Sequence, residues 1–68
     1  MEELSAKLSD LLASHDMSQR KLSKDTGISN STVSRILSGE MRNPTADTLV
    51  KLADYFGVTT DYLLGRDS

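Results

Sequence analysis

Sixty-eight residues with no cysteine, no tryptophan and one proline leave room for one small domain, and a chain of this length buries only about 60% of the surface its unfolded form exposes, so its stability is marginal. The lack of cysteine excludes a disulfide scaffold and Cys-ligated zinc and fits a reducing cytoplasm, while a lone His15 leaves no His-pair metal motif. No apolar run exceeds three residues, as at Leu11–Ala13, so neither a membrane span nor a signal peptide is expected, and the net charge of −2 argues at first against nucleic acid.

The periodicity is helical nearly throughout. Leu4, Leu8, Leu11 and Leu12 recur on one face and predict a first amphipathic helix over residues 2–15, interrupted by Asp16 and Met17. Ser18 is a good N-cap for a short second helix beginning at Gln19, with Leu22 and Thr26 inward and Gly27 as its left-handed end. Ile28 then anchors the chain in the core, and Ser29 caps a third helix over residues 30–38. Val33, Ile36 and Leu37 are its apolar positions, and Gly39 stops it before a loop over residues 40–44. Thr45 caps a fourth helix through Phe56, with Leu49, Leu52, Ala53 and Phe56 inward and Asp47 at its positive dipole end. Gly57 ends that helix, Val58 re-enters the core, and Thr59 caps a last short helix over residues 60–64. A polar tail at residues 65–68 is expected to fray. The expected fold is all-α: five helices in a single domain spanning residues 1–68.

Charge is unevenly distributed along this frame. Residues 1–17 set Lys7 against Glu2, Glu3, Asp10 and Asp16, a net −3. Residues 18–43 set Arg20, Lys21, Lys24, Arg35 and Arg42 against Asp25 and Glu40, a net +3. Residues 44–68 return to −2, with Lys51 and Arg66 against Asp47, Asp54, Asp61 and Asp67. The basic middle coincides with the two short helices joined by Thr26-Gly27-Ile28-Ser29, a turn suited to a helix-turn-helix near residues 18–38. The second helix of that pair carries Asn30, Ser31, Thr32, Ser34 and Arg35, mostly small hydrogen-bonding side chains that let a helix approach the floor of the DNA major groove. Asn can pair bidentately with adenine and Arg with guanine, and a Thr methyl can touch the thymine methyl.

These residues resemble a known family. Ser18-Gln19, Leu22, Gly27-Ile28-Ser29, the run Ser31 to Ile36, Gly39, Asn43-Pro44 and the stretch Leu49 to Leu64 are similar to the helix-turn-helix domain of phage repressor and Cro proteins, the XRE-like family, over roughly residues 4–65. The resemblance implies a lambda-repressor-like bundle of four or five helices. It implies that Gln19 contacts a phosphate and braces the start of the recognition helix, and that Asn30, at a position commonly glutamine, reads bases with Ser31, Thr32, Ser34 and Arg35. It implies further backbone contacts from Arg42 and Asn43, with help from the Ser38 hydroxyl, while Lys21 and Lys24 add only diffuse attraction.

Three departures weaken the expected grip. Leu12 stands where many relatives carry an arginine, Glu40 occupies a position often basic, and the whole chain is acidic. Modest affinity for the isolated chain is therefore expected, with tight binding relying on a homodimer. Other features read plainly. His15 is a surface residue near a helix C-terminus, Met17 and Met41 fill gaps, and Tyr55, Tyr62, Leu12, Leu63 and Leu64 cover the core edge or form dimer contacts. Asp10, Asp47, Asp54 and Asp61 are too dispersed for a metal or acid–base pair.

The expected function is sequence-specific binding of double-stranded DNA, as a transcriptional repressor or its N-terminal domain acting as a dimer on a palindromic operator. No enzyme activity, cofactor, metal, small-molecule substrate or membrane partner is expected. The alternative is a protein-interaction module of the same fold, an antitoxin or anti-repressor, which would depend little on Arg35 or Arg42.

Overall fold

Leucine spacing and hydroxyl caps become five helices in the computed structural model, which describes residues 3–66. The helices are α1 (Glu3–Ser14), α2 (Gln19–Thr26), α3 (Asn30–Ser38), α4 (Ala46–Phe56) and α5 (Thr60–Leu63), with no strand among the described residues. Every helix from α2 onward starts on the same device. Ser18, Ser29, Thr45 and Thr59 hold extended backbone and accept, through their side-chain oxygens, the N–H three residues ahead, which satisfies one of the donors a helix start leaves free.

The helix ends are equally local in origin. The α4 helix closes with Gly57 at φ 70° and the Val58 N–H on the Ala53 carbonyl at 2.9 Å, the bond pattern of a Schellman motif. The α1 helix closes the same way without glycine: Asp16 takes φ 51° and the Met17 N–H reaches the Leu12 carbonyl at 2.9 Å. Asp tolerates this left-handed conformation better than bulkier residues do. The short α5 repeats the pattern, with Gly65 at φ 74° and the Arg66 N–H on the Asp61 carbonyl at 2.9 Å. Gly65 and Arg66, the first residues of the expected tail, belong to the closure of α5. Asp67 and Ser68, the rest of that tail, and Glu2, the expected start of the first helix, lie outside the described residues.

One apolar cluster holds all five helices. Leu8, Leu22, Val33, Ile36, Leu52 and Leu63 are its fully buried members, so every helix contributes at least one. Leu12 and Leu63, left open between core edge and dimer contact, belong to this core. Leu37 and Leu49 reach only its margin, where they are half-buried beside Met17, Met41, Tyr55 and Tyr62. Among the described residues no side-chain polar atom is buried without a partner.

Truncation at the centre is therefore expected to cost far more than strain at an edge. Leu22→Ala should lower stability by about 2–5 kcal/mol. Gly27→Ala meets no atom within 4 Å but must hold φ 79°, a strain worth about 1–2 kcal/mol. Urea unfolding of both variants checks this order, and equal losses would contradict it.

Candidate nucleic-acid interface

Steering α3 is the work of the turn before it. Gly27 sits at φ 79° with its N–H on the Ser23 carbonyl, a backbone conformation that glycine adopts without steric cost. Two hydroxyls then lock the turn from the side. Ser23 Oγ donates to the Ile28 carbonyl at 2.5 Å, and Thr26 Oγ1 donates to the Leu22 carbonyl at 2.7 Å while accepting the Ile28 N–H at 3.2 Å. Ile28, 6% exposed, pins the turn into the core.

On α3 itself the two faces separate cleanly. Val33 and Ile36 are fully buried, while Asn30, Ser31, Ser34 and Arg35 are exposed. Thr32 departs from that set. It is half-buried, and its hydroxyl accepts a 2.8 Å hydrogen bond from the Ser29 cap. Gln19, at the start of α2, reaches across the pair: its Nε2 lies 3.2 Å from Asn30 Oδ1 and 3.4 Å from the Asn30 carbonyl. That amide–amide contact fixes the side chain expected to lead base reading, and it joins the first residues of the two helices.

Beyond α3 the chain turns at Gly39, with φ 86°, into the loop that carries Arg42 and Asn43, both exposed. The loop is tied back by the Met41 N–H on the Arg35 carbonyl at 3.0 Å, and Ser5 Oγ on α1 donates to the Leu37 carbonyl in the last turn of α3 at 2.6 Å. Ser38 Oγ donates to the Arg35 carbonyl and accepts the Glu40 N–H. Its one hydroxyl proton is thus engaged, and a phosphate contact from Ser38 would require it to let go of that carbonyl. Arg35 Nε lies 3.9 Å from Glu40 Oε2, with the arginine side chain 55% exposed. An open pair at that distance contributes under about 1 kcal/mol, so DNA can displace Glu40 readily. Leu12, where an arginine was the expected alternative, is occupied with core packing and offers no polar group to DNA.

A second cluster, with no local sign in the sequence, clamps α2 to α4. Tyr55 donates its hydroxyl to Asp25 Oδ2 at 2.6 Å, and Lys21 Nζ pairs with the same oxygen at 3.1 Å. The Tyr55 hydrogen bond, then the Lys21 one, holds the Asp25 carboxyl below its ordinary range. Donating its hydrogen bond to that carboxylate pushes the Tyr55 phenol up, and the hydrogen bond to Asp25 raises Lys21. Lys21 is thereby committed to α2 and α4. His15, also outside the polar face, is exposed and sets its ring 5.1 Å from Phe56.

The signs of these shifts define a pH window. A depressed Asp25 stabilises the fold above its unfolded value near 4 and loses that contribution as pH falls through the lower folded value. Raised Tyr55 and Lys21 stabilise below about 10, and their contributions fade as pH climbs through the higher folded values. Tyr55→Phe should therefore be less stable than the parent by a constant margin between about pH 5 and 9, with the margin shrinking at both extremes. A margin flat from pH 3 to 11 in chemical denaturation would show that the clamp contributes nothing.

Comparison with known proteins agrees with this geometry. The family model described as helix-turn-helix matches residues 2–63. The chain is 39% identical over 49 residues to the HTH-type transcriptional regulator ImmR of Bacillus subtilis strain 168, covering 72% of this chain and 38% of that protein. It is 31% identical over 67 residues to an uncharacterised HTH-type transcriptional regulator of Coxiella burnetii, covering 98% of this chain and 31% of the relative. A further uncharacterised HTH-type transcriptional regulator, from Rickettsia prowazekii, is 36% identical over 62 residues, which is 87% of this chain and 67% of the relative. The chain thus spans about a third of the length of the first two relatives. No solved structure matches. No helix among the described residues is long and apolar enough to cross a membrane. With a turn, caps and core that agree with a match over nearly its whole length, the chain belongs to the helix-turn-helix family, of the XRE type that its motifs resemble.

Proposed function

We propose that this chain is the sequence-reading part of a transcriptional repressor, binding double-stranded DNA as a homodimer on a palindromic operator in the cytoplasm of a bacterium. The observation that carries the reading is the two-faced α3. Its apolar side is locked in the core by Val33 and Ile36, and its opposite side presents Asn30, Ser31, Ser34 and Arg35 to solvent, with Asn30 braced by Gln19 and Arg35 only loosely paired with Glu40. A helix held this way can enter a major groove without rearranging the fold. In this reading Gln19, Arg42 and Asn43 grip the backbone and set the register, with Ser38 as a secondary contact. Asn30, Ser31, Ser34 and Arg35 read base edges, and Thr32 contributes through its methyl while its hydroxyl stays on Ser29.

A dimer would place two copies of α3 about 34 Å apart, in successive major grooves on one face of the duplex. Exposed Val50, 48% accessible on α4, is a single apolar side chain and does not by itself define the dimer contact.

Selection from a randomised duplex library at near-physiological salt tests the reading. Enrichment of a palindrome with half-sites one helical turn apart is the expected result, and no enrichment at any salt would instead favour a protein partner. On the selected site, Arg35→Ala is expected to cost about 1–3 kcal/mol and to relax preference at one base pair. Equal weakening on all sequences would make Arg35 a phosphate contact.

A further inference from the structure

A groove of about 340 Å³ opens between the first turn of α1, the loop after α3 and the end of α5. Its lining combines apolar Leu4, Met41 and Leu64 with two guanidinium groups, Arg42 from the loop and Arg66 from the chain beyond α5. Neither arginine makes an ion pair among the described residues. Glu3 also lines the groove and packs against the α5 closure beside Arg66: a Cβ on Gly65 would stand 2.7 Å from Glu3 Cγ. Among the described lining residues two cations stand against one acid, in a chain that is acidic as a whole.

The position of Arg66 is set by folded backbone rather than by a free end. Gly65 turns the chain at φ 74° and the Arg66 N–H is bonded to the Asp61 carbonyl. Arg42 and its neighbour Asn43, which also lines the groove, are the loop residues assigned above to the DNA backbone. The groove is therefore continuous with that face. Planar guanidinium forks suit phosphate oxygens, and an apolar surface beside them suits the carbon face of a sugar.

We propose that this groove seats one sugar–phosphate unit of bound DNA, with Arg42 and Arg66 on the phosphate and the Leu4–Met41–Leu64 surface against the deoxyribose. The inference rests on the DNA-binding reading and adds Arg66 to the residues that grip the backbone. Because it is a phosphate contact, Arg66 strengthens binding to every sequence alike and leaves base preference unchanged.

The test compares Arg66→Gln, Arg66→Lys and Lys51→Gln with the parent, measuring affinity for selected and random duplexes across a salt series. Lys51 is a charge-matched control, because its ammonium is paired with Asp47 at 3.1 Å on α4 and lies outside the groove. Arg66→Gln is expected to weaken both duplexes by the same factor and to flatten the log–log salt slope by about one. Arg66→Lys should recover most of the slope, and Lys51→Gln should leave it nearly unchanged. Equal slopes for Arg66→Gln and Lys51→Gln, or none altered, would overturn the seat while sparing the DNA reading. Inorganic phosphate alone is titrated in parallel and followed by NMR at the Arg42 and Arg66 side chains. Shifts there with an unaltered DNA slope assign the groove to a free anion and overturn the backbone contact. A parent protein without affinity for any duplex removes the DNA reading and the seat together.

Discussion

Everything the interface does depends on Val33 and Ile36 being shared with the core. A chain this short has one apolar cluster to spend, and α3 is anchored in it by two side chains with no exposed surface. Their burial fixes the rotation of α3 about its axis, and at 100° per residue that rotation decides which residues face out. Asn30, Ser31, Ser34 and Arg35 are exposed because Val33 and Ile36 are not. A substitution that loosened either anchor would blur recognition without touching a DNA-facing group.

The remaining degrees of freedom are removed by short-range polar bonds. The turn from α2 into α3 is held by a left-handed glycine and two hydroxyls on main-chain carbonyls. The Gln19–Asn30 contact aligns the starts of the two helices. On the other side of α2, the Tyr55–Asp25–Lys21 clamp ties the helix to α4. The helix pair is thus braced at both flanks by groups that are individually weak and act on the same rigid unit. Conformational entropy that DNA binding would otherwise have to remove is already absent from the free protein.

Much of this was legible in the sequence because its causes are local. The bounds of α3 and α4 follow from Ser29, Gly39, Thr45 and Gly57, residues whose backbone and capping preferences act within four positions. The start of α2 at Gln19 and its end at Gly27 follow in the same way. The apolar stripe of α1 likewise named its own buried residues. What escaped was set partly by distance along the chain and partly by which of several local partners a hydroxyl takes. Tyr55 and Asp25 are thirty positions apart, and no periodicity links a phenol on one helix to a carboxylate on another. Thr32 looked like its neighbours, yet the Ser29 hydroxyl beside it captures its oxygen. Ser38 likewise carries the right group in the right place but directs its proton to Arg35.

Glu40 shows how local and distant effects combine. Its N–H is held by Ser38 Oγ immediately after Gly39, so its backbone is anchored at the end of α3 while its side chain stays exposed. That position sets it near Arg35, the strongest base-reading candidate, and near the loop that carries Arg42. The pair with Arg35 is too open to block DNA. A negative charge at the rim of the interface still lowers attraction to every phosphate that approaches. Weak grip on random sequence is an asset for a reader that must leave wrong sites quickly, provided the contacts that identify the right site are made by a rigid helix. In the proposed reading the acidic flanks and Glu40 would serve the first condition, and the buried anchors of α3 the second.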